Sequence, residues 1–375
     1  MNIVIITTHY PTLDKNCKLS PADHYYAREW IKSGHNVLVF HLRAVLFGFS
    51  TNCNLAQYII ENVQVYYVKY LRIIPKSPIT ELFSTAKVAK MVDSIIQNHF
   101  KHVDLFYCDF CAGNWQVIQK LRVVYTNSVF FPVFNNCDFY SIKLAKSIIE
   151  SSVIVGVRSK VQKEKVLSII PNKTVIIAYS GAPFIEQVKQ NNVIKKQYSI
   201  IYAGDLIPLK NVDILIESIY ELRNDFPINC QIIGDGIEEK NLKSRVKKYG
   251  LESTIIFKGR LSRNEVLNEM EKAEVFVMAS SPETFGIVYL EAMSKSCYVI
   301  ACKNEGIDGV IIDGFNGALV SPRNTVELTD SLKRFFKMPP IEKETITNNA
   351  KYTAHELSEK KVADKILTDI FSVLE

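Results

Sequence analysis

The chain has 375 residues, 47% hydrophobic and 22% charged, with a formal net charge of +6. That length suffices for two α/β domains with separate cores, and the balance is that of a globular chain, which excludes a disordered or low-complexity protein. No apolar run approaches the ~18 residues that span a bilayer, and the first residues lack the pattern of a signal peptide, so a cytoplasmic protein is expected.

The charge is uneven. Residues 1–190 hold 21 Lys and Arg against 12 Asp and Glu, net +9, while the rest holds 24 against 27, net −3. A basic first half suggests a face turned toward something anionic. No basic stripe interleaved with aromatics is present, so nucleic acid is not an expected partner. An anionic membrane surface or a phosphate-bearing acceptor fits better. The eight cysteines (Cys17, Cys53, Cys108, Cys111, Cys137, Cys230, Cys297 and Cys302) are expected as reduced core residues. Cys108 and Cys111 form a lone Cys-x-x-Cys without a second ligand pair, so no metal site is expected there.

In chain order, the first half alternates strand-like and helical patterns. Strands are predicted at residues 3–7, 37–40, 65–68, 103–107, 129–134 and 153–157, with helices at 22–32, 81–100 and 140–150 among them. Such alternation predicts a parallel, doubly wound sheet with ligands outside the C-terminal ends of its strands. Residues 43–49 form an apolar run. Residues 71–76 and 81–101 combine apolar side chains with Lys76, Lys87, Lys90 and Lys101. A core helix with a solvated basic face accounts for the latter. The alternative is an interfacial surface that contacts anionic lipid.

A polar stretch at 187–197 reads as a linker, and a second alternating half follows. It opens with a strand at 199–203, a turn at Gly204 and a loop that delivers Lys210 to the next helix start. Gly234-Asp235-Gly236 lacks the third glycine of a dinucleotide fingerprint, since Glu239 stands there, and reads as a tight strand-to-helix turn. The apolar run Val275-Phe276-Val277-Met278 reads as a buried strand. Ser280-Ser281-Pro282 breaks it, and a helix is predicted to start between Thr284 and Gly286. Backbone N–H groups at Phe285, Gly286 and Ile287 would then face a phosphate or a sugar hydroxyl. Residues 358–375 form an amphipathic helix.

The stretch Glu283-Thr284-Phe285-Gly286-Ile287-Val288-Tyr289-Leu290-Glu291-Ala292-Met293 resembles the signature of retaining nucleotide-sugar glycosyltransferases of family 4. The resemblance is specific from Ile201 to about Val320. It implies the GT-B fold: two doubly wound, Rossmann-like α/β domains facing a cleft, with the C-terminal helix returning to the first. The implied domains are an acceptor-binding one at 1–186, a donor-binding one at 198–355 and the returning helix at 356–375. In that family the first Glu of the motif, here Glu283, lies beside the transferred sugar, and the second, here Glu291, binds the ribose hydroxyls. Gly204 and Lys210 fall where the family clamps the donor diphosphate. An Arg usually follows the glycine there, but this chain has Asp205, and Arg260 is a candidate replacement. The loop after the first strand lies near the acceptor in relatives. It lacks their glycine pair, and its His9 reads either as facing the cleft or as structural. Asn135 and Asp138 occupy the places of a sugar-contacting His and an Asp, and Asn cannot become cationic.

The function this implies is transfer of a hexose from a UDP- or GDP-linked donor to an acceptor hydroxyl, with neither cofactor nor metal and with Glu283 and Lys210 as the catalytic pair. The acceptor is expected to be a glycan, lipid-linked or membrane-proximal, in bacterial surface polysaccharide assembly. The alternatives are a GT-B epimerase or phosphorylase, or a non-catalytic nucleotide-sugar-binding partner.

Overall fold

Two kinds of pattern alternate along the chain, short mainly apolar runs and amphipathic stretches of about ten residues, and they segregate into strands and helices. The computed structural model describes residues 1–12, 22–45, 54–71, 78–182 and 195–374. The chain divides into two units, one of Met1–Arg158, Gln162–Gly181 and Glu359–Glu375, the other of Ser159–Val161 and Ala182–Ser358.

The first unit runs β1 (Asn2–Thr7), α1 (Ala22–Lys32), β2 (Asn36–Val45), β3 (Asn54–Ile60), β4 (Val63–Leu71), α2 (Pro78–His99), β5 (Leu105–Asp109), α3 (Cys111–Val124), β6 (Val129–Phe134), α4 (Ile142–Ser151), β7 (Ile154–Val157), α5 (Lys160–Ile169) and β8 (Thr174–Ile177). Its sheet has the order β3-β4-β2-β1-β5-β6-β7-β8. All neighbours are parallel except β3 and β4, which form an antiparallel hairpin. That hairpin was not predicted. It turns on Glu61 and Asn62, both at positive φ, and a Glu in that conformation carries no sequence signal of a turn. Residues 3–7 of β1 are buried, as a central parallel strand with helices on both faces requires.

The second unit runs β9 (Lys196–Ala203), α6 (Val212–Leu222), β10 (Asn229–Ile233), α7 (Glu239–Lys248), β11 (Ile255–Gly259), α8 (Arg263–Lys272), β12 (Ala273–Val277), α9 (Ile287–Ser294), β13 (Tyr298–Cys302), β14 (Ala318–Val320), α10 (Thr325–Lys337) and α11 (Pro340–Glu356). Its sheet is parallel throughout, in the order β11-β10-β9-β12-β13-β14. The last helix, α12 (Glu359–Ser372), packs on α1 of the first unit. It buries Val362, Ala363, Ile366, Leu367 and Ile370, at roughly 1.5–3 kcal/mol for each large aliphatic side chain. The Trp30 indole donates to the Ala363 carbonyl at 2.9 Å, and Arg28 pairs with Glu359. The two doubly wound sheets and the return of the last helix agree with the fold that the motif implied.

In α2 the apolar side chains Val88, Ala89, Val92 and Ile96 are buried in the core, while Lys87 and Lys90 are exposed. From Thr85 onward this is a core helix with a solvated basic face, with no apolar face left for a lipid surface. The apolar stretches at 46–49 and 72–76, residues 187–194 of the expected linker, Cys17 and Cys53 lie outside the described residues. Lys196 and Gln197, assigned to that linker, already form the start of β9. Cys108, Cys111, Cys230, Cys297 and Cys302 are buried free thiols, whereas Cys137 is exposed. No helix among the described residues is long and apolar enough to cross a membrane.

Candidate functional site

In a doubly wound sheet the loops part where the strand order reverses, leaving a crevice at the C-terminal ends of two central strands. In the second unit this point lies between β9 and β12. A cavity of about 380 Å³ opens there, lined by Gly204, Asp205, Lys210, Arg260, Arg263, Glu283, Gly286, Ile287 and Glu291 among others.

The charged groups reach the cavity from the segments that follow β9, β11 and β12. After β9, Gly204 lies beside the Tyr202 hydroxyl, and a 3-10 turn at Pro208–Lys210 presents Lys210 just before α6. After β12, Ser281 N donates to the Leu209 carbonyl at 2.9 Å, which ties the two loops together. Lys210 Nζ then meets Glu283 Oε2 at 2.6 Å. Glu283 also accepts from Ser280 Oγ at 3.1 Å and, through Oε1, from Thr284 N at 3.1 Å. The pair is largely buried, with the Lys210 side chain 20% and the Glu283 side chain 13% exposed.

A second carboxylate supports this loop from behind. Glu305 accepts from Glu283 N at 2.6 Å and from Ser281 Oγ at 2.6 Å. Gly306 makes the approach possible, because a Cβ there would stand 1.9 Å from the Thr284 carbonyl oxygen. Gly306 N in turn donates to the Glu283 carbonyl at 3.0 Å.

The helix after the motif starts at Ile287, later than the Thr284–Gly286 start expected from the sequence. Gly286 caps it at φ 77°, a left-handed conformation that favours glycine. A Cβ at that position would meet the Tyr289 ring at 2.5 Å. The Phe285 side chain turns into the core and Tyr289 is fully buried, its hydroxyl donating to the Met278 carbonyl at 2.8 Å. Of the three residues expected to offer N–H groups, Gly286 and Ile287 line the cavity and Phe285 does not. One turn into α9, Glu291 Oε1 accepts from Arg263 Nε at 2.6 Å. Arg263 is the first residue of α8, set by a capping box between Ser262 and Glu265.

Arg260 does reach the loop after β9, but its charge is already engaged. It bridges Asp205 at 2.8 Å and Asp235 at 2.6 Å. Its hydrogen bonds to the Asp235 carboxylate in particular hold the guanidinium more firmly protonated than usual. Arg260, Lys210 and Arg263 each lie on a carboxylate in this structure. The exposed Arg260 pairs are worth only about 0–1 kcal/mol, whereas the largely buried Lys210–Glu283 pair gives up its cation only to a ligand of greater charge, such as a diphosphate.

In the first unit the corresponding crevice lies between β1 and β5. The His9 ring stacks on Phe110, 4.2 Å between centroids, and is bonded to Thr8 Oγ1 at 2.6 Å. Burial lowers its pKa below the ordinary value. Asn135 and Asp138 stand at the end of β6 and are buried, cross-bonded as a capping box for the 3-10 turn Asn136–Phe139. Asp138 also accepts from Ala112 N at 3.0 Å, and burial pushes its carboxyl up to about 7. The Asn135 amide donates to Asp109 Oδ1 at 2.8 Å. Asp109 belongs to a cluster that the sequence reading did not find: Arg158 sits between Asp23 at 2.7 Å and Asp109 at 2.8 Å, all three buried. Residues 23, 109 and 158 are far apart in the chain, and no spacing announces them. Arg263 and Glu305 were also missed, although the Ser262–Glu265 capping box was readable. Among the described residues no three or more His, Cys, Asp or Glu side chains are grouped to hold a metal ion.

Residues 184–352 match the family model of glycosyl transferases group 1. Over 175 residues it is 34% identical to an uncharacterized glycosyltransferase of Methanocaldococcus jannaschii, covering 47% of either chain. The match thus spans about half the length of that curated relative. Among solved structures, sucrose-phosphate synthase from Thermosynechococcus elongatus superposes with a TM-score of 0.72 at 17% identity, over 100% of this chain and 99% of that one. The Anabaena protein HepE, solved with UDP and glucose, gives 0.69 at 16% identity over 99% and 100%. The fold is therefore that of the GT-B glycosyltransferases.

Proposed function

We propose that this protein is a retaining, metal-independent glycosyltransferase that moves a hexose-type sugar from a nucleotide-sugar donor to an acceptor hydroxyl. One observation carries the reading. The Lys210–Glu283 pair and the Arg263–Glu291 pair converge on one cavity at the strand-order reversal of the second unit. In the reaction the bond between the anomeric carbon and the diphosphate oxygen breaks, and its electron pair leaves with the diphosphate. Lys210 is the cation placed to balance that charge. Glu283, released from Lys210, holds sugar hydroxyls, and Glu291 accepts from the ribose. The diphosphate oxygen takes the proton of the acceptor hydroxyl as the new glycosidic bond forms. HepE was solved with UDP and glucose, which favours a uridine donor over a guanosine one.

The acceptor falls to the first unit in this reading, near the loop that carries His9. Support for a lipid-linked glycan on an anionic membrane, and so for surface polysaccharide assembly, rests on the positive charge of residues 1–190. A second reading, a nucleotide-sugar-binding subunit without turnover, is favoured by one feature: Arg260 is held by two carboxylates rather than free for phosphate. A panel of UDP- and GDP-sugars, followed by thermal shift and by release of free nucleotide with an acceptor mixture, separates the readings. Binding with turnover supports the transferase, and binding without turnover supports the subunit. If no nucleotide sugar shifts the melting temperature of the wild type relative to Glu291→Ala, both fail.

A further inference from the structure

Arg263 stands against the preference of its own helix. It is the first residue of α8, whose start is otherwise well formed by the Ser262–Glu265 capping box, and the positive end of a helix disfavours a cation. A residue that breaks a local rule in this way is expected to serve something outside its own element. The side chain reaches α9, where Nε donates to Glu291 Oε1 at 2.6 Å. Glu291 is a misfit in turn, since its neighbours Tyr289, Leu290, Ala292 and Met293 are all buried apolar or aromatic residues. Both members of the pair line the cavity between β9 and β12. The carboxylate is the more buried of the two, with the Glu291 side chain 11% and the Arg263 side chain 36% exposed.

The two glutamates of the cavity are held differently. On Glu283 both oxygens are engaged, Oε2 by Lys210 and Ser280 and Oε1 by Thr284 N. On Glu291 only Oε1 is engaged, and Oε2 has no hydrogen-bond partner among the described residues. A glutamate side chain is long and flexible, and ordering it at the moment of binding costs affinity. A carboxylate clamped through one oxygen is ordered beforehand and keeps the other for a ligand. We propose that Arg263 is a positioning residue for the nucleotide: it fixes the Glu291 carboxylate so that tight binding requires the vicinal hydroxyls of a ribose. The inference rests on the proposed function, which makes the ribose the partner of Glu291. The clamp uses Nε of a planar guanidinium, so a lysine supplies the charge without that direction.

The test uses the full chain and two probes, UDP and 2′,3′-dideoxy-UDP, titrated by calorimetry into the wild type, Arg263→Met, Arg263→Lys and Glu291→Ala. GDP and its dideoxy analogue replace them if the thermal-shift panel selects a guanosine donor. Methionine keeps an apolar stem without the charge. The wild type should bind UDP at least about tenfold more tightly than the dideoxy form, the effect of a hydrogen bond to a charged group. Arg263→Met should weaken UDP about tenfold and leave the dideoxy form unchanged, so that the ratio collapses toward that of Glu291→Ala. Added to Glu291→Ala, it should have no further effect. Arg263→Lys should restore part of the ratio, and it carries the same comparison if the methionine variant does not fold. Equal weakening of both nucleotides would mean a general brace or a direct phosphate contact, and the proposal falls. A ratio unchanged in every folded Arg263 variant, or a wild type that binds both forms alike, also overturns it and leaves the nucleotide site standing. A wild type that binds no nucleotide at all instead removes the proposed function, and this inference with it.

Discussion

Glu305 never appears in the motif, yet the geometry makes the placement of Glu283 depend on it. Its carboxylate takes two short hydrogen bonds, from Glu283 N and from Ser281 Oγ, each 2.6 Å. Hydrogen bonds to a charged group contribute about 1.5–3 kcal/mol when buried. Glu305 is half-buried, so roughly half of the combined figure, about 2 kcal/mol, is the expected loss in Glu305→Ala. For a unit of this size that lowers the melting temperature by about 4–8 °C. Transfer should fall more steeply than stability, because the freed loop lets the Glu283 carboxylate drift from Lys210, and small misplacements of this kind cost about 100-fold. Glu305→Gln keeps one acceptor oxygen and should recover part of both losses. Unfolding of the second unit is read by calorimetry, since Trp30 and Trp115 both lie in the first. If Glu305→Ala melts and transfers like the wild type, the loop is held by other contacts and the supporting role is wrong.

Glu283→Gln should lower transfer about 100-fold while the thermal shift produced by the donor survives, because the amide still binds hydroxyls but no longer pairs with Lys210; steady-state rates and melting curves check both halves. Gly286→Ala should cost roughly 1–2 kcal/mol for the left-handed backbone, and more for the collision with the Tyr289 ring, seen as a lower melting temperature and weaker donor binding. Asp138 keeps its proton up to about pH 7 in the folded chain, whereas the unfolded chain gives it up near the ordinary value of about 3.9. The folded state then binds the extra proton between those values, so this residue's contribution to stability falls as pH rises from about 4 to about 7 and is level above. Melting temperature against pH should decline less steeply over that window in Asp138→Asn; parallel curves would refute the assignment.

The sequence disclosed what is local and periodic. Residues 22–32 and 129–134 were read with their final bounds because α1 and β6 follow the helical and strand patterns without interruption. Lys210, Glu283, Gly286, Ile287 and Glu291 come together at one cavity; Gly286 and Ile287 were legible from the strand, loop and helix pattern, whereas Lys210, Glu283 and Glu291 stood out only through the resemblance of residues 283–293 to a family signature. What stayed hidden depends on contact across the sheet. That Arg260 is held between Asp205 and Asp235 follows from the β9–β10–β11 order, which no local pattern states. Glu305 approaches Glu283 only because Gly306 admits the Thr284 carbonyl. Asp23, Asp109 and Arg158 meet because α1 starts on the side of the sheet where β5 and β7 end.

The return of α12 to the first unit has a consequence for how the protein is made. The second unit is an insertion whose two ends are adjacent, with Ala182 bridged to Ser358, so it can close on itself as soon as its own last strand and helices have emerged from the ribosome. The first unit starts earlier and finishes later. Trp30 waits for the Ala363 carbonyl, and α1 and β8 wait for the packing of α12. During synthesis the N-terminal unit is therefore the exposed and aggregation-prone one, and loss of the final helix would strand it in that state while leaving the cavity between β9 and β12 formed.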